Sequence, residues 1–103
     1  FSDEALEELR SMIDVCFEMV EDIIKGLQDG DTTHALRALK GEEKLNTFQI
    51  ELRQNHVRRL EENRCDMLSG LVFLDLVDYI EKIGDHLSNI AQGLKGGLRW
   101  ETY

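Results

Sequence analysis

The sequence predicts an all-α protein, an up-down-up antiparallel bundle of three helices. Three observations carry that reading. Proline is absent from the 103 residues, while Leu, Glu, Lys, Arg and Gln, all good helix formers, are abundant. Breaking residues divide the chain into three nearly equal parts. Within each part, apolar side chains recur at steps of three and four, the rhythm of a helix that buries one face.

The first helix is expected over about 2–28, starting in the acidic run Ser2-Asp3-Glu4. Leu6, Leu9, Ile13, Cys16, Val20, Ile23 and Leu27 form its seam. Gly30 closes it, and Asp31 or Thr32 caps the next. The second helix, about 32–62, repeats the rhythm with Leu36, Leu39, Ile50, Val57 and Leu60, interrupted by Glu43, Asn46 and Arg53. A second stripe of Leu45, Phe48 and Leu52 runs beside it. The third helix, about 66–94, follows a break at Asn63 to Asp66 and carries Leu76, Ile80, Ile83, Leu87, Ile90 and Leu94 on one seam. Beside that seam Leu71 and Leu74 give way to Asp78, Glu81 and Asp85, so the stripe turns acidic halfway along. The tail, 95–103 with Gly96-Gly97, is expected to fray or dock loosely.

Composition bounds the function. A chain of this size forms one domain and hides about two-thirds of its unfolded surface in a single core. With 21 acidic against 12 basic side chains, a formal charge of -9, the chain lacks the basic face that displaces phosphate counterions, which argues against nucleic acid. Its uncharged runs fall far short of the roughly 20 residues of a membrane span. Cys16 and Cys65 stand far apart with no CxxC pair, which reads as two reduced thiols and not as a disulfide scaffold or zinc finger. No nucleophile stands beside a base and there is no glycine-rich phosphate loop, so no enzyme is expected. A histidine phosphotransfer domain is disfavoured because no histidine lies two residues before Leu94-Lys95-Gly96. The chain opens on Phe1 without an initiator methionine or signal peptide, which we read as a piece of a longer protein.

Short connections make neighbouring helices antiparallel. Helix two folded onto helix three pairs positions whose numbers sum to about 128, which sets Glu43 level with Asp85. Folding helix one onto helix two sets Asp14 level with Asn46 and Glu18 level with Glu42. Several carboxylates then share one storey of the bundle. Like charges brought together raise one another's pKa values, so such a cluster calls for a cation, a partner or water. Glu81 and Asp85, one turn apart on one face, suit a hard cation with oxygen ligands. The competing reading makes these acids an ordinary wet edge, and the chain a generic helical module for oligomerisation or protein contact.

The words around that spacing are more specific. The stretch from Asp78 to Gln92 resembles the signature of the PhoU family. The likeness is carried by Asp78, Glu81, Ile83, Gly84, Asp85, His86, Asn89, Ile90 and Ala91, with Lys82 in place of an arginine and Gln92 in place of a final acid. Phe73-Leu-Asp-Leu upstream looks like the variant in the cytosolic C-terminal domain of bacterial sodium/phosphate cotransporter family proteins. The resemblance implies a three-helix regulatory domain of phosphate uptake on the cytoplasmic side of the membrane. Its partners would be the transporter's membrane domain in the same chain or other phosphate-uptake proteins. Some members bind multinuclear iron or other metals through E/D-x-x-x-D motifs, which implies divalent or ferric ions here. Carried over residue by residue, the ligands would be Glu81 and Asp85, with Asp78 as a third donor. On helix two they would be Glu42 and Asn46, flanked by Glu43. An amide at Asn46 is a weaker ligand than the family's acid. His86 is expected to meet solvent or another helix, Gly84 to permit close helix approach, and Asn89 to cap or crosslink. A homodimer through the acidic groove or the tail is also open to such a chain.

Overall fold

The computed structural model describes residues 2–63 and 66–96. It is a bundle of three helices, α1 (Asp3–Asp29), α2 (Thr32–Glu61) and α3 (Met67–Lys95), so the expected class and boundaries hold to within a residue or two. Expectations for Cys65 and for the tail beyond residue 96 lie outside the described residues.

The ends follow from local chemistry. Ser2 caps α1 by accepting from the Ala5 amide at 3.1 Å. Gly30 closes it in the left-handed region, φ 72°, and donates its N–H to the Gly26 carbonyl. Asp31 then accepts from Thr33 N at 2.9 Å. Asp66 does the same for α3, taking both the amide and the hydroxyl of Ser69. Those bonds stabilise the charged form, and both carboxyls sit below the usual aspartate range.

The helix-to-helix register is the expected one. Gln49 reaches Asp78, and Gly70 and Gly84 lie under His56 and Leu45, pairs that sum close to 128. Glu4 meets Arg58, and Gly41 lies under Met19, close to the 60 expected for α1 on α2.

The seams require correction. Of the residues expected inside, Leu6, Ile13 and Val20 on α1, Leu36, Ile50, Val57 and Leu60 on α2, and Leu76, Ile83 and Ile90 on α3 are exposed. Leu9, Cys16, Ile23, Ile80 and Leu94 are buried as expected. The core is rotated toward Ala5, Met12, Val15 and Met19 on α1, and toward Ala35, Ala38, Gly41, Leu45 and Leu52 on α2. On α3 it runs through Gly70, Phe73, Val77, Gly84 and Ala91. Small residues hold the contact line, and large side chains from the facing helix fill the space they leave. A Cβ at Gly84 would fall on the Leu45 side chain, and one at Gly41 on Met19. Gly84 therefore permits the close approach expected of it.

Candidate functional site: an acidic edge and a buried ion network

The acidic edge forms where α2 and α3 meet. Glu81 is half-buried on α3, and its carboxyl is pushed up, first by burial and then by Asp85, Glu42 and Asp78. Arg53 acts in the opposite direction. Its guanidinium pairs with Asp78, which also accepts from Gln49 Nε2 at 3.4 Å. Four of the expected site residues, Glu42, Asp78, Glu81 and Asp85, therefore share one electrostatic neighbourhood.

Glu43 does not join them in the same way, whereas Asn46, one turn on from Glu42, stays on the stripe that carries Gln49 and Arg53 to Asp78. One residue on from Glu42 is a step of about 100° around the helix. Glu43 is exposed and lines an open patch of α2 with Lys40, Lys44, Thr47, Phe48 and Glu51. Asn46 is exposed as well. Glu18 of α1 shares the storey in level but lies on the α1–α2 side, in a depression with Arg37, Lys40 and Lys44. The level was legible from residue numbers, and the direction around each helix separates the acids.

The donors around Glu81 are all carboxylate oxygens, the right chemistry for a hard cation. Their arrangement is looser than a cage. Among the described residues, no three His, Cys, Asp or Glu side chains are grouped closely enough to hold a metal ion, and Asp78 is engaged by Arg53. The edge is a spread of negative charge, with one guanidinium inserted where a cation would stand.

A second ionic cluster was not anticipated. Arg59 is 1% exposed. Its Nη1 lies 2.8 Å from Glu8 Oε1 and 3.4 Å from Glu4 Oε1, at ion-pair distance though off hydrogen-bond alignment. Asn55 donates to the other Glu8 oxygen at 2.7 Å, and Arg58 reaches Glu4 at 3.1 Å. The Arg59 guanidinium stands 5.2 Å from the centre of the Phe73 ring, on which His56 stacks at 5.5 Å. His56 is buried over Gly70, and burial, followed by the Arg59 charge, pushes its pKa down. Folding arithmetic gave only half of this: Glu4 falls close to level with Arg58 and Arg59, whereas Glu8 falls level with Leu52 and is met by the long Arg59 side chain reaching along the bundle.

The Cys16 thiol is buried, within 3.9 Å of the Ile80 carbonyl, and burial pushes its pKa up, away from a reactive thiolate. His86 and Asn89 are exposed, and His34 pairs with Asp29 and Asp22. No helix among the described residues is long and apolar enough to cross a membrane.

The class the structure defines is a three-helix bundle with charged edges. Comparison with known proteins gives the family: residues 9–94 match the model of the PhoU domain, and the chain belongs to that family. It is 26% identical over 89 residues to the phosphate-specific transport system accessory protein PhoU homolog 1 of Thermotoga maritima, covering 86% of this chain and 38% of the relative. It is 32% identical over 87 residues to the phosphate-specific transport system accessory protein PhoU homolog of Borreliella burgdorferi, covering 82% of this chain and again 38% of the relative. The chain thus spans well under half the length of these relatives. No solved structure matches it significantly.

Proposed function

We propose that this chain is a non-catalytic regulatory domain of phosphate uptake that acts by contact with phosphate-transport proteins. The observation that carries the reading is the PhoU domain match across all three helices, supported by relatives named as accessory proteins of phosphate transport. In its finer form, the domain is the cytosolic part of a sodium-dependent phosphate cotransporter, facing the transporter's membrane domain. The test is to delete these residues from the full-length protein in its host and measure uptake of labelled phosphate at matched transporter abundance. A changed rate, or a lost response to phosphate supply, is expected. Unchanged uptake in both conditions would overturn the reading. A full-length reading frame with no multi-pass membrane region would remove the cotransporter and leave the accessory role.

Metal binding is a second reading, favoured by the mutual repulsion centred on Glu81. A cation taken up by Glu42, Glu81 and Asp85 would relieve that repulsion. Since a ligand bound only by the folded chain raises its unfolding free energy, excess Mn²⁺ or Fe³⁺ should raise the Tm of the wild type and not of Glu81→Gln/Asp85→Asn. Equal melts with and without metal would remove this reading.

A further inference from the structure

On each of α1 and α3, one flank of the buried seam faces α2. On α1 that flank is marked by Glu4, Glu8 and Asp22, which meet Arg58, Arg59 and His34. On α3 it is marked by Asp78, which meets Arg53 and Gln49. The opposite flanks of the two helices adjoin one another, at a register set by Cys16 against the Ile80 carbonyl. At about 100° per residue, the α1 flank carries Leu6, Ile13, Phe17, Val20 and Ile24. The α3 flank carries Val72, Leu76, Tyr79, Ile83 and Ile90.

All ten are exposed, Phe17 by 64%, Tyr79 by 61% and Ile83 by 51%. With side chains of roughly 200 Å² each, the strip presents on the order of 1,000 Å² of apolar surface. That exceeds the roughly 300–600 Å² of the largest patch on an ordinary monomer, and matches the approximately 800 Å² that each partner contributes to a standard stable interface. No Asp, Glu, Lys or Arg falls between the two ridges. Arg10, Asp14 and Glu21 border the strip on α1, and Asp75 and Lys82 on α3. An apolar centre with a rim of both signs is the anatomy of a protein interface.

We propose that the α1–α3 face is a self-association surface, occupied by a second copy of this chain in a symmetric dimer. The area is what such a dimer needs. Charge also favours this face: copies carrying -9 each repel, and the least repulsive approach joins surfaces with no charge at their centre. Two parallel ridges with a groove between them are self-complementary under a twofold axis, each ridge of one copy seating in the groove of the other.

Sedimentation equilibrium of the chain from low micromolar to about 100 μM tests this, because a dimer forms and gains thermal stability with concentration. The wild type is expected to reach twice the 11.9 kDa of one chain, with a Tm that rises with concentration. Phe17→Glu/Ile83→Glu should stay at one chain mass with unchanged helical circular dichroism, and Ile50→Glu/Val57→Glu on α2 should still dimerise. Both positions of the first variant are more than half exposed in the single chain, so folding tolerates glutamate there. The mass of the wild type across the concentration range tests the dimer without either variant. A wild type monomeric throughout overturns the dimer and gives the face to another occupant, such as a second bundle, for which relatives of this length have room. A dimer that survives the first variant and is lost in the second overturns it also, by moving the interface to α2.

Discussion

Arg59 with Glu8, and Glu81 with its neighbouring acids, are both ionic clusters set against the core of one bundle, yet they are balanced differently. At the first, a guanidinium with 1% exposure meets two glutamates and an aromatic face, and the Asn55 amide fixes the second Glu8 oxygen. At the second, burial and then Asp85, Glu42 and Asp78 push the Glu81 carboxyl up while Arg53 alone is its counterweight, and the pair that Arg53 makes with Asp78 lies partly open to solvent. The first cluster is internally matched, which suits a structural clamp between α1 and α2. The second carries surplus charge that the fold does not need, and surplus charge at an accessible edge is what a partner or cation can use.

The largest effect that would break this contrast is expected at Arg59. Replacing it by Met leaves Glu8 buried beside an apolar chain, and removing one partner of a buried pair costs about 3–5 kcal/mol. Urea denaturation should show that loss, and Arg59→Met/Glu8→Gln should recover much of it. Arg53→Met, which removes the counterpart at the open edge, should cost at most about 1 kcal/mol, because a pair this exposed is screened by water. Equal losses at the two arginines would show that the clusters are not different in kind.

These two arginines also show how far the sequence could be read. Arg53 was visible in the sequence as an interruption of an apolar stripe. Arg59 was not visible as a core residue, because a guanidinium reads as solvent-facing until its acids are placed opposite it. The helix limits were legible because Gly30, Asp31 and Asp66 leave little choice of ending or cap. Residue numbers then set the register, since connections this short allow little slip. The direction around each helix was obscured by size: Ala35, Ala38, Gly41, Gly70 and Gly84 hold the contact line. A stripe of large apolar residues such as Leu6, Ile13 and Val20 mimics a core while lying on its flank. The same displacement turned Glu43 away from the acidic group while leaving Glu42, Asp78, Glu81 and Asp85 in it.

A smaller effect sharpens the contrast from the other side. Glu81 has a folded pKa above its ordinary value, so between the two values the folded chain binds more protons than the unfolded one. Stability contributed by this group therefore falls as pH rises through that window, and at neutral pH its ionisation is a net cost. Glu81→Gln removes the charge and should stabilise the chain at pH 7 by up to about 1 kcal/mol, an advantage that shrinks as the pH is lowered through the ordinary glutamate range. Thermal melts of the two proteins across that range measure the difference directly. A variant less stable than the wild type at pH 7 would mean that the Glu81 carboxylate is already compensated, and the acidic edge would then be a second structural clamp.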